Sequence, residues 1–271
     1  MAEKTMGSEK KALLSVICAL GVLVAVVISM RLVAIPDIDN VTFCPLDQTK
    51  IPPGDLNILL DRTDDLSTLN QDVARQLINK WRGGARPFER MNLFVLNSGD
   101  IKKFSRQITV CAPPAEISLQ FAKGRTLANQ LLQRHHNLVD DAVTKGLETT
   151  EIIGKSRIIE ALRQITNSTW PPKSRLLVIS DLIEISDLAN FFGELAPDFD
   201  VWKTRPNAVS ILNEIMLSKE NSVQVCEFQM DKPDHAHRGA ARMFWQKFFF
   251  QYGISVKASC SEVLGGVISF V

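Results

Sequence analysis

Residues 175–181 read Arg-Leu-Leu-Val-Ile-Ser-Asp, a short and strongly apolar run that stops on a carboxylate. Apolar runs of this length, bounded by polar residues, are the mark of a strand buried on both faces. Leu56–Leu60 (Leu-Asn-Ile-Leu-Leu) is a second such run, and it leads into Asp61-Arg62-Thr63-Asp64-Asp65. In open α/β sheets, chemistry gathers at the carboxyl ends of strands. Two strand ends that both deliver aspartates therefore set the fold class and the place to look for a site.

Working outward, Leu66, Leu69, Val73, Leu77 and Trp81 recur at spacings of three and four. That is one face of an amphipathic helix, closed by Gly83-Gly84. Met91–Leu96 and Gln107–Cys111 read as two more strands, close enough in sequence to pair as an antiparallel hairpin. Residues 117–151 are polar and helical, with Leu127, Leu131 and Leu132 on one side. Ile158, Ile159, Leu162 and Ile165 mark a further helix, ended by Asn167 and Pro171-Pro172. Helical pieces carrying Phe191, Phe192, Leu195, Ile211, Ile215 and Leu217 occupy 187–220. Val223–Met230 reads as a strand, Arg242–Tyr252 as a helix, and Val263–Val271 as a candidate last strand. The run Phe244–Phe250 is aromatic enough to be core, with Lys247 reaching to solvent. This alternation predicts an α/β domain over 55–271: a mostly parallel central sheet, helices on both faces and one antiparallel edge.

The chain of 271 residues is 45% hydrophobic and 23% charged, which excludes wholesale disorder. Lys and Arg number 31 against 30 Asp and Glu, so there is no basic excess and no nucleic-acid partner is expected. Residues 12–30 carry no charge at all. As a helix the run spans about 28 Å, close to a bilayer core of about 30 Å. It is longer than a signal-peptide core, and no clean small-x-small site follows. We expect one transmembrane anchor at 12–34, in contact with lipid through 12–30, and a Pro-containing extended stalk at 35–54. Lys4, Lys10 and Lys11 precede the run, whereas Arg31, Asp37 and Asp39 follow it. The excess of lysine on the short side predicts a cytoplasmic tail at 1–11 and an extracytoplasmic main domain, periplasmic if the source is bacterial.

Cys18 lies within the apolar run, leaving Cys44, Cys111, Cys226 and Cys260 in the body. An even number suits disulfides in an oxidising compartment. Cys111 and Cys226 also sit in apolar strand-like runs, where buried free thiols are common. Both readings stand at this point. Asn40-Val41-Thr42 and Asn167-Ser168-Thr169 match the glycosylation acceptor pattern, which matters only in a eukaryotic secretory setting.

Asp61, Thr63 and Asp181 could together hold a hard cation such as Mg2+, which favours carboxylate, hydroxyl and water oxygens, if their two strands are neighbours. At these residues the sequence resembles the von Willebrand factor A domain. That family places Asp-x-Ser-x-Ser after its first strand, a threonine in a later loop and an Asp after its fourth strand. Together these form a metal-ion-dependent adhesion site. Asp61 and Thr63 take the first two positions here, and Asp65 stands at the third. Ser156 falls at the loop position and Asp181 at the fourth-strand position, where the family often continues with Gly rather than Leu182. The resemblance covers roughly residues 55–255. It implies protein–protein contact, with at most one weakly bound Mg2+ on Asp61, Thr63, Asp65, Ser156 and Asp181. Asp64 and Ser67 would share the rim, and each also suits the capping of the helix that follows.

Other motifs carry less. Gly154-Lys155-Ser156 lacks the upstream glycine of a phosphate loop, since Thr149 stands there. His235 and His237, beside Asp231 and Asp234, match no standard zinc spacing and read as a polar loop on the same rim, facing a partner. No Gly-x-Ser-x-Gly elbow is present. The sequence therefore points to a single-pass, membrane-anchored, non-enzymatic assembly or adaptor protein. The alternative is a divalent-metal phosphoester hydrolase using Asp61, Asp65 and Asp181.

Overall fold

In the computed structural model the strand β1 (Leu56–Asp61) is buried along its whole length, as its apolar run requires. The structure describes residues 13, 15–24, 36–97, 101, 104–148, 155–167, 170–191, 196–228 and 235–258. β1 lies between β2 (Arg90–Leu96) and β4 (Arg175–Ser180), parallel to both. β3 (Ser105–Cys111) pairs antiparallel with β2 as the outer strand. β5 (Ser222–Glu227) and the two-residue β6 (Lys257–Ala258) extend the other side in parallel. The order β3-β2-β1-β4-β5-β6 reverses direction between β1 and β4. Such a reversal opens a crevice at the carboxyl ends of the two strands, where doubly wound sheets place their ligands.

Helices cover both faces. One face, with Ile58, Leu60, Leu93 and Val95, packs on α1 (Thr68–Gly83) and α3 (Arg125–Leu147) through Val73, Leu77, Val139 and Val143. α3 comes so close that a Cβ on Gly146 would stand 2.9 Å from the Val95 side chain. A short α2 (Glu116–Lys123) precedes it. The other face, with Leu59, Phe94, Leu176 and Val178, packs on α4 (Ile158–Ile165), α6 (Pro206–Glu214) and α7 (His235–Phe250). Phe244, Trp245, Phe248 and Phe249 are buried there with Trp202 of the single turn α5 (Phe199–Trp202). Truncating a buried Phe or Trp costs about 3–5 kcal/mol, so this aromatic layer is a main source of stability.

Several expectations need correction. Leu69 and Leu127 are exposed at 64% and 45%, although each shares a helix with a buried apolar face. α1 buries Ala74 and Ile78 beside Val73 and Leu77, and α3 buries Ala128, His135, Val139 and Val143. The last helix starts at His235 rather than Arg242 and leaves Phe250 in solvent. Phe192, Leu195 and the tail 263–271 lie outside the described residues.

Residues 36–51 form a strap against the domain and not an extended stalk. Asp39 Oδ1 accepts hydrogen bonds from the Val41 and Thr42 N–H groups and from the Thr42 hydroxyl, making a tight turn. The Cys111 N–H donates to the Thr42 carbonyl, and Phe43 is buried edge-on to the His135 ring. A Cys44–Cys111 disulfide fixes the strap to β3, and Cys226 is also disulfide-bonded. Among the described residues no helix is long and apolar enough to cross a membrane. Of the apolar run, residues 13 and 15–24 are helical with exposed side chains, and the rest of 12–34 lies outside the described residues.

Candidate functional site

Asp61 ends β1 beside the end of β4, and its side chain points into the crevice between them. Although only 6% exposed, it has every lone pair satisfied. Oδ1 accepts from the Thr63 N–H at 3.1 Å and the Thr63 hydroxyl at 2.8 Å, the geometry of an Asx turn. Oδ2 accepts from the Ser156 hydroxyl at 2.8 Å and the Ser180 hydroxyl at 2.8 Å. Three chain segments distant in sequence thus converge on one carboxylate. The condition that joined Asp61 to Asp181, adjacency of their strands, is met.

Next to Ser180, the chain turns sharply. Ser180 Oγ accepts from the Leu182 N–H at 2.9 Å, and Asp181 Oδ1 accepts from the Ile183 N–H at 3.0 Å. Leu182 sits at φ +65° with its side chain buried. A non-glycine residue in the left-handed region costs about 1–3 kcal/mol. Here the burial of Leu182 and a bond from Trp245 Nε1 to its carbonyl hold it in place.

Asp61, Thr63, Asp64, Leu66, Asp181 and Phe228 line a small pocket of about 10 Å3, room for one water or one small ion. Burial, and then the charge of Asp61, pushes the Asp181 carboxyl up to about 8. The same two causes raise Asp64 above the usual carboxylate range. Arg62, buried beside them, is lowered by desolvation, against the pull of Asp65 and Asp61. Among the described residues, no Lys, Arg or His lines the pocket.

The predicted residues divide into two groups. Asp61, Thr63 and Ser156 are joined by hydrogen bonds, and Asp181 shares their pocket. Asp65 is exposed and outside the lining, whereas its neighbour Asp64, expected on the outer rim, faces in. Ser67 caps α1, its side chain accepting from the Asn70 N–H. His237 is half-buried in the first turn of α7, and His235 opens that helix. Sequence reasoning missed Ser180. A hydroxyl at the last position of an otherwise aliphatic strand was the available signal.

The oxygens that could hold a small hard cation are those of Thr63, Ser156 and Asp181, while Asp61, its lone pairs taken, seats the two hydroxyls. The Thr63 and Ser156 hydroxyls each give their hydrogen to Asp61 and keep lone pairs, so the donor chemistry fits such an ion. Among the described residues there is no group of three or more His, Cys, Asp or Glu side chains arranged to hold a metal. Any shell here would be rich in hydroxyls and water. No protein-family model matches the chain, and a search of curated proteins finds no match.

Proposed function

We propose that the protein is a membrane-anchored, von Willebrand A-like binding protein that holds a protein partner at the Asp61 crevice, as an assembly or adaptor component of a membrane complex. The observation that carries this reading is the convergence of Thr63, Ser156 and Ser180 on Asp61 at two neighbouring strand ends. The same hydroxyl-and-carboxylate pattern is what the family resemblance implies. The left-handed conformation of Leu182, at a position where the family often has Gly, lends further support.

A Mg2+ ion would be held weakly by Thr63, Ser156 and Asp181, with Asp61 seating the hydroxyls, and would supply the positive charge that attracts an anionic group of the partner. The small pocket favours one ion over an organic substrate. The Cys44–Cys111 disulfide favours an oxidising compartment for the domain, in keeping with an extracytoplasmic placement behind the uncharged run 12–30.

Asp181→Asn tests the reading, because it keeps the side chain's shape and removes an anionic ligand. A crosslinked pull-down from intact membranes should recover a partner with wild type and lose it with Asp181→Asn, while Mg2+ should stabilise only the wild-type domain. An unchanged partner set would overturn the crevice as the binding site. Turnover of a generic phosphoester would replace the adaptor reading with the hydrolase. Protease protection of the domain in right-side-out vesicles would reverse the topology.

A further inference from the structure

Helix α4 begins two residues after Ser156 and has no cap of its own. Arg157 at its N-cap makes no side-chain capping bond, so the free N–H groups of the first turn must be met from elsewhere. Glu184, fully buried, meets one of them: its Oε2 accepts from the Ile159 N–H at 3.1 Å. The next residue, Ile185, donates its N–H to the Ser156 carbonyl at 2.7 Å. Residues 184 and 185 thus grip the chain on both sides of Arg157.

The gripping segment is itself fixed. The Phe191 N–H donates to the Glu184 carbonyl at 2.8 Å, Ile185 bridges to Asn190, and Trp245 Nε1 donates to the Leu182 carbonyl at 2.9 Å. We propose that Glu184 is a positioning residue: by holding the first turn of α4 and, through Ile185, the Ser156 carbonyl, it keeps the Ser156 hydroxyl seated on Asp61. The proposal rests on the reading of the Asp61 crevice as the working site, and it adds a means of regulating that site.

Glu184 does this in its neutral form. Glu160 is the charged neighbour that acts on it, and Arg157 is engaged with Glu160 and Asp187 at 3.3 Å each. Burial, and then the charge of Glu160, raises the Glu184 carboxyl well above its usual value. Its Oε1 is buried without a well-formed hydrogen bond, beside the Ser186 side chain. A neutral carboxyl bears that position at far lower cost than a carboxylate. A group whose folded pKa is raised contributes stability that is complete below its unfolded pKa and is lost as pH rises through the folded one. The fold that carries the grip on Ser156 therefore loses stability toward alkaline pH.

Two variants of the full chain test this. In Glu184→Ala, amide exchange at Ile159 and Ile185 should accelerate by about tenfold or more, with core amides such as Leu59 and Val178 still protected. Glu184→Gln, an uncharged isostere, should keep both amides within about threefold of wild type. Denaturation from about pH 5 to about pH 9 should show wild type losing stability relative to Glu184→Gln as pH rises, the Asp181 contribution cancelling in the difference. Exchange in Glu184→Gln that follows Glu184→Ala would overturn the proposal, as would a wild-type-to-Gln difference that is flat with pH. If Glu184→Ala does not fold, the pH difference decides alone. None of these readouts involves a partner or a cation, so their failure leaves the binding reading standing, and failure of the pull-down leaves them untouched.

Discussion

At the amino edge of the sheet Glu89 is fully buried and yet held below the usual carboxylate range, whereas at the carboxyl edge Asp181 is pushed up to about 8. Burial raises both. At Glu89 it is outweighed by hydrogen bonds from the Arg86 backbone and side chain and by the Arg175 guanidinium. Asp55 on the same edge is gripped by both arms of Arg90. Among the described residues Asp61, Asp64 and Asp181 form no ion pair; Asp61 has hydroxyls, and the other two have its negative charge. The strap, the Cys44–Cys111 disulfide and the Phe43–His135 contact also belong to the amino edge, since Cys111 pairs with Arg90. One edge is closed by its own chain, and at the other the three aspartates have no ion pair among the described residues. The first edge holds the ion pairs and the disulfide, and the second is where we propose that a partner binds.

The largest expected effect comes from breaking the closed edge. Glu89→Ala strips Arg86 and Arg175 of their shared carboxylate and the Arg86 N–H of its acceptor. Removing one partner of a buried pair costs about 3–5 kcal/mol, and the exposed parts of both arginines place this case at the lower end. Urea denaturation measures it. Asp181→Asn, with no divalent ion present, should move the same curve the other way and stabilise the domain near pH 7, because burial and the Asp61 charge make a carboxyl costly there.

Acid probes the closed edge next. Burial, followed by the charges of His136 and Arg82, lowers the His135 pKa from 6.5 to about 4. The unfolded chain therefore binds this proton more readily than the folded one. Stability should be unaffected above about pH 6.5 and fall by about 3 kcal/mol as pH drops toward 4. His135→Phe should remove that part of the acid loss. A denaturation series with the same acid slope in both proteins would mean that the ring is not neutral in the fold.

Much of this division could be read from the sequence. RLLVISD and LNILLD declare two buried strands and their acidic ends, because apolar runs of that length have few alternatives. Helical periodicity showed which residues share a face but not how far the covering layer extends, so Leu69 and Leu127 were placed inward and are exposed. The strap was hidden because prolines and short polar stretches read alike whether they hang free or are pinned by one cysteine and one Phe. Ser180 was hidden by its ordinary place at a strand end. Its role appears only when β1 lies beside β4.

The smallest expected effect separates two adjacent carboxylates. In the family pattern Asp65 stands at a ligand position, yet the Asx turn from Asp61 to Thr63 sets the direction of the loop, so that Asp64 lines the pocket and Asp65 stays in solvent. Asp65 acts on Arg62 only through its charge, and at an exposed position such an effect is largely screened. Asp65→Asn should therefore change stability by less than about 0.5 kcal/mol and leave Mg2+ stabilisation as in wild type. Asp64→Asn should weaken that stabilisation without unfolding the domain. Thermal denaturation of both variants with and without Mg2+ makes the comparison. A loss confined to Asp65→Asn would place the ion at the outer rim and move the open edge of the sheet away from Asp181.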